Sequence, residues 1–218
     1  MSISFPRTMP TRGVNKQMFE IQRVDFISPD ARGRIGGITA GFPLWKAKYV
    51  LGHLTVPQAD EWAAWMTTMR GQQKLFYGYK QGRALPLTYR HGLPAGFSGT
   101  LTSWAQFVDA AGTATLALTG MTAGFVLLAG DYIGFRWGTY QKALVRCVEA
   151  VTADGSGNIA AITIEPPVPT VVPGSAVAYL NNPVCLMKMI PGESSLNDSD
   201  WRGVVEGGSL GAIQDLIA

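Results

Sequence analysis

The sequence predicts a mainly β protein with one principal α-helix, and three observations carry that expectation. Only one long stretch, Thr55 to Gly71 (TVPQADEWAAWMTTMRG), repeats its apolar residues with a helical period. Elsewhere short alternating or apolar runs are separated by turn residues, and Gly accounts for 26 of 218 residues, well above the usual share of about 7%. Charged residues make up only 15% of the chain, against about 25% in an ordinary globular protein. Such a composition suits a turn-rich β protein that hides much of its surface, in a large core or in an assembly. A chain of this length buries a core without disulfide or metal staples.

Taken in order, residues 1–14 hold Pro6, Pro10 and Gly13 among basic residues and read as an N-terminal arm. Met18 to Phe26 alternates through Phe19 and Ile21, then shifts phase to Val24 and Phe26, the pattern of a bulged strand. Pro29 to Gly37 is a turn-rich connector. Ile38 to Leu54 is a half-buried strand with Trp45, Ala47, Tyr49 and Leu51 on one face and Leu44, Lys46, Lys48 and Val50 on the other. The helix follows. Thr55 and Gln58 form a capping box, Pro57 suits a first turn, and Gly71 stands past the last turn. Its apolar stripe is Val56, Ala59, Trp62, Ala63, Met66 and Met69. Trp65 lies off that stripe, covered by a second surface or exposed for a partner. Lys74 to Tyr79 (KLFYGY) is an aromatic strand.

From about Gly92 the texture changes to Gly, Ala, Thr and Ser, with strands at short intervals, and a small all-β unit is expected. Its strands are Ser103 to Asp109, Thr113 to Leu118, Tyr132 to Phe135, Lys142 to Thr152, Ile159 to Glu165 and Ala176 to Leu180. Leu127 to Asp131 reads as a β corner, with Gly130 for the bend and Asp131 to cap it. Ala153 to Asn158 is a hairpin loop in preference to a calcium loop, because no repeat or ligand-completing acid follows. Val184 to Ile190 is an apolar strand, and the segment beyond Pro191 is an acidic, Gly-rich tail with Trp201 as its anchor.

Net charge is +3, too small to argue for nucleic-acid binding. Residues 1–50 carry eight Lys or Arg against three acids, and residues 189–218 one Arg against five acids, so oppositely charged ends are free to meet within one chain or between copies. Cys147 and Cys185 read as buried free thiols. His53 and His91 have no carboxylate or thiol at a recognised spacing, and no phosphate loop, HExxH or GxSxG occurs. No enzyme activity, catalytic residue, metal site or cofactor is expected. MSISFPRTMP lacks the apolar centre of a signal peptide, and no run is long enough to span a membrane.

Four stretches, the helix with GQQKLFYGY, GFVLLAGDYIGF at 124–135, DGSGNIAAITIEPPVP at 154–169 and AVAYLNNPVCLMKMI at 176–190, follow one another in an order that resembles the distal tail proteins of long-tailed bacteriophages. The resemblance covers about residues 45–190. It implies a split β-barrel core bearing the helix plus an inserted small β-barrel or sandwich. On that template residues 1–14 are the arm, 15–92 and 176–200 the core with helix 55–70, 93–175 the inserted domain and 201–218 the acidic C-terminal tail. It also implies a structural virion component of the phage tail, made in the host cytoplasm, that forms a ring of about six copies. Such a ring links the tail tube protein to the tail-tip hub and receptor-binding parts, with tape-measure proteins as further partners and DNA only as passing cargo. Arg7, Arg12, Trp45, Trp65 and Trp201 are the candidate interface residues. In the alternative reading the inserted β unit binds a carbohydrate or cell-surface ligand along Trp104, Trp137 and Tyr140.

Overall fold

Among the described residues, two six-stranded sheets and one α-helix make up most of the regular structure, with two short two-stranded pairings and one 3-10 turn besides. The computed structural model describes residues 3–29, 35–196, 204–205 and 207–216. The fold is mainly β, as the sequence predicts.

The first sheet draws on both halves of the sequence. Its N-terminal members are β1 (Arg7–Thr8), β2 (Val14–Pro29) and β3 (Ile35–Leu51); a short β4 (Leu54–Thr55) leads into α1 (Val56–Met69), and β5 (Leu75–Gly78) follows. The chain then leaves to build the second sheet from β6 (Ser103–Val108), β7 (Ala114–Thr119), β9 (Tyr132–Trp137), β10 (Gln141–Cys147), β12 (Ile159–Glu165) and β13 (Val177–Tyr179), with β8 (Val126–Leu127) and β11 (Val151–Thr152) paired beside it. It returns as β14 (Cys185–Leu196), β15 (Val204–Val205) and β16 (Gly208–Gln214). The first sheet runs β1-β5-β14-β16-β3-β2 and the second β13-β9-β10-β12-β7-β6. The Leu101 N–H donates to the Ala178 carbonyl and the Leu180 N–H to the Gly99 carbonyl. The chain entering β6 is thereby tied to β13, which joins the two ends of the second sheet.

Local chemistry explains the elements that sequence specifies. The Thr55 N–H donates to Gln58 Oε1 at 3.1 Å, closing one arm of the capping box, and Arg70 and Gly71 take left-handed backbone (φ 49° and 66°) that stops the helix. On β3, Trp45, Ala47, Tyr49 and Leu51 are buried, the face that alternation assigns to the core. The phase shift in β2 is a real irregularity, since the β2–β3 register slips between Gln22 and Val24. The corner at 128–131 also forms: the Leu128 N–H donates to Asp131 Oδ2 at 2.8 Å.

Elsewhere the structure corrects the expectation. The buried helix residues are Ala59, Trp62, Trp65 and Met69, while Val56 and Ala63 face solvent. The cause is the N-terminal segment, which runs beside the helix: the Trp62 indole N–H donates to the Arg12 carbonyl and that of Trp65 to the Thr8 carbonyl, each at 2.9 Å. β1 pairs in parallel with β5 and Met9 is buried, so residues 7–14 are part of the sheet and core rather than a free arm. The acidic tail is no tail either, because β16 sits between β14 and β3 in the middle of the first sheet. The inserted unit extends past residue 175, since β13 belongs to the second sheet. The strand expected over Lys142 to Thr152 breaks into β10 and β11. β11 pairs with β8 and β12 with β7 and β10, so the Asp154 turn joins strands of different sheets. Its Oδ1 accepts from the Ser156 and Asn158 N–H groups, a turn self-closed by side chain.

The two sheets share a core. Tyr132 and Leu144 of the second sheet pack with Phe19, Trp45 and Tyr49 of the first. Opposite charges meet within the chain: Glu193 pairs with Lys46, and Asp215 with Lys188.

Candidate functional site

Five residues carry the interface expectation, and the structure separates them. Trp45 and Trp65 are buried within the fold, so neither offers a surface to a partner. Trp45 instead bridges the two sheets, its indole N–H donating to the Leu144 carbonyl at 2.7 Å. Arg7 is half-buried with its guanidinium on Thr68 Oγ1 of α1, and Arg12 is exposed. Trp201 lies outside the described residues. Large aromatics of a single chain find cover in their own core before a partner supplies it, and here the N-terminal segment and the second sheet supply that cover.

A different surface stands open. Beyond the bulge, β2 and β3 continue as a two-stranded ribbon from Val24↔Ala40 to Pro29↔Ile35. β16 reaches β3 only between Lys46 and Val50, so no third strand supports the ribbon among the described residues. Val24, Phe26 and Ile38 are 52%, 64% and 74% exposed, and Phe42 is also open to solvent. An isolated two-stranded ribbon is marginal in water, and its free edges invite another chain. Sequence reasoning read Val24 and Phe26 as ordinary strand residues. The phase shift after Ile21 was the available signal, because it marks where the strand leaves the sheet's core. The ribbon's base is fixed to the second sheet by Arg23 with Glu165 and by Glu20 with Arg146 (3.3 Å).

A second opening, a cleft of about 550 Å³, lies at the β9–β10 turn between the sheets and is lined by Tyr77, Arg136, Trp137, Tyr140, Lys142 and Ser175. Trp137 and Tyr140 both border it, but Trp137 packs against the core of the second sheet. Trp104 does not border it, since it packs edge-on to Phe135 and donates its indole N–H to the Ala176 carbonyl. The basic neighbours Arg136 and Lys142 escaped sequence reasoning, although FRWGTYQK places both beside the aromatics.

The corner carboxylate has structural work. Asp131, 1% exposed, accepts the Leu87 and Leu128 N–H groups at 2.8 Å each and faces Arg83 at 3.5 Å, joining the corner to the connector before the second sheet. Burial raises its pKa, opposed by those two N–H groups and by Arg83. Asp131→Asn replaces an acceptor oxygen with a donor that faces an N–H, so thermal melting should fall by an amount equivalent to about 2–3 kcal/mol. A melting temperature within a degree or so of the parent would remove this joint from the account. Cys147 and Cys185 are free and buried, and burial pushes both thiols up, which leaves them protonated and inert. His53 is exposed, and His91 accepts a hydrogen bond from Arg90 Nε at 3.0 Å.

No helix among the described residues is long and apolar enough to cross a membrane. No protein-family model matches the chain, and a search of curated proteins gives no significant match.

Proposed function

We propose that this chain is a structural subunit that assembles with copies of itself into a ring of a bacteriophage tail, in the place of a distal tail protein between tail tube and tail-tip hub. One observation carries the assembly part: the β2–β3 ribbon, unsupported beyond Gln22, exposes Val24, Phe26 and Ile38. Apolar side chains on a bare ribbon gain most by docking on another surface, and about 25 cal/mol for each Å² of apolar area covered is the scale of that gain. A ribbon that reaches from one copy to a different surface of the next makes a heterologous contact, and such contacts close into rings when the rotation permits. The tail assignment rests on the resemblance in the four stretches named above, and the mainly β fold with its single capped helix supports it. Tube, hub and tape-measure proteins are then the outside partners.

Native mass spectrometry across a concentration series, with negative-stain images of any large species, tests the assembly. Rings of about six copies are expected. Phe26→Asp with Ile38→Asp should leave a well-folded monomer, because both side chains are exposed in the single chain. A parent that stays monomeric at every concentration, or a double variant that still assembles, would remove the ribbon as the contact.

A further inference from the structure

The cleft at the β9–β10 turn carries two positive charges that no carboxylate among the described residues pairs with. Arg136 and Lys142 are directly opposite each other in the β9–β10 register. Like charges at such a pair sit about 5 Å apart at Cβ and destabilise the sheet. Arg23, Lys46, Arg83, Arg146 and Lys188 each have a carboxylate beside them. No carboxylate pairs with Arg136 or Lys142 among the described residues; they lie against rings instead, Lys142 Nζ at 4.3 Å from the Tyr77 centroid and Arg136 Cζ at 5.7 Å from that of Tyr179. Burial, and then the charge of Arg136, push the Lys142 ammonium below its usual range. Arg136 is exposed and Lys142 half-buried, so an anion reaching both from solvent would relieve their repulsion.

The surroundings narrow the anion's chemistry. Tyr140 stands in a tight turn in which Gly138 is left-handed (φ 54°) and Gln141 Oε1 accepts the Tyr140 N–H at 3.3 Å, so its ring is held on a short, bonded loop, while Trp137 packs against the core of the second sheet. Ser175 adds a hydroxyl, and about 550 Å³ falls within the range of small-ligand sites. Aromatic faces with neighbouring hydroxyl and amide groups suit sugar rings. Two cations are too few to track a nucleic-acid backbone, which needs a basic groove along several phosphates. Edge pairing with a peptide is closed off as well, because β13 is bonded on one side to β9 and on the other to residues 99–101.

We propose that this cleft binds an acidic saccharide, a sugar bearing carboxylate or phosphate, with Arg136 and Lys142 holding the anionic group and Tyr140 stacking on the rings. The cleft lies within a single chain, so binding does not depend on ring assembly and is measurable on the ribbon double variant as well as on the parent.

Isothermal titration with a short oligogalacturonate and with a hexose phosphate is the test, with a neutral oligosaccharide of equal length, inorganic phosphate and a single-stranded oligonucleotide as the other arms. At least one acidic sugar should bind roughly tenfold or more tightly than the neutral oligosaccharide, the effect of one charge-assisted contact. Lys142→Gln and Arg136→Gln should each weaken it about tenfold, and Tyr140→Ala should weaken it too. Lys142→Gln should also melt no lower than the parent, because it removes a like-charge pair. A fall in its melting temperature would make the pair structural and overturn the assignment. So would equal binding of acidic and neutral sugars, binding of neither, inorganic phosphate binding as tightly as the acidic sugar, or the oligonucleotide binding more tightly than any sugar.

Discussion

A chain lacking residues 207–218 should fail to form its first sheet, while the second sheet, built from residues 99–180, keeps its own pairing. β16 bonds to β14 on one side, from Met187↔Gln214 to Leu196↔Gly208, and to β3 on the other, from Lys46↔Ile213 to Val50↔Ser209. Adjacent strands stand about 4.8 Å apart, so deleting the middle one leaves β3 and β14 about twice that distance from each other, too far to bond. Leu210 and Ala212, both fully buried, would go with it. The Gln214 side chain, whose Oε1 accepts the Trp45 N–H at 3.2 Å, would be lost too. No local rearrangement replaces a strand bonded on both edges. Far-ultraviolet circular dichroism should lose a large part of the strand signal, and the helix with it, because α1 packs on that sheet. Cooperative melting of the shortened chain near the parent's temperature would refute the central placement of β16.

Trp45→Ala should be the most damaging single substitution in the shared core. The side chain is fully buried, stacks on Phe19 at 5.0 Å, tilts against Tyr132 at 5.7 Å and lies 5.7 Å from the Arg146 guanidinium. Removing an indole of this kind costs about 3–5 kcal/mol in transfer and cavity terms. It also leaves the Leu144 carbonyl without its donor, a further penalty of about 1–3 kcal/mol. For a chain of this size the melting temperature should drop by roughly 10 °C or more. Because Trp45 touches both sheets, calorimetry should show the single transition broaden or divide. Trp45→Phe keeps the stack and loses only the hydrogen bond, so it should fall between parent and Ala. If Trp45→Ala melts within about 2 °C of the parent, the ring is not part of the joint.

How much of this was legible depends on how local each signal is. The helix start is written in Thr55, Pro57 and Gln58, and β3's two faces in strict alternation, so both could be read directly. Asp131 declared its corner because a Gly-Asp pair at the end of an apolar run has few other uses. The N-terminal segment declared nothing: it is held through its backbone carbonyls by the indoles of Trp62 and Trp65, and a carbonyl leaves no mark in sequence. β16 was misread because Gly208, Ser209 and Gly211 look like loop residues, and its partners on β3 are more than 150 positions away. Trp45 and Trp65 were placed on the right elements with the wrong neighbours, since which surface covers an aromatic is decided by packing far along the chain. The cleft was half legible. Trp137 and Tyr140 were read together with Trp104, which packs elsewhere, and the juxtaposition of Arg136 and Lys142 exists only once β9 and β10 are in register.

The central position of β16 also sets an order of events during synthesis. The second sheet uses one continuous stretch of chain and can pair as soon as that stretch is free of the ribosome, whereas β2, β3 and β5 emerge well before the strand that must separate β3 from β14. Pairings of long sequence separation are slow to form, and unpaired strand edges are aggregation-prone while they wait. The first sheet therefore matures after the second. A chaperone that shelters β2 and β3 would act in that interval, and a prematurely stopped chain would stay open to proteolysis instead of persisting as a defective subunit.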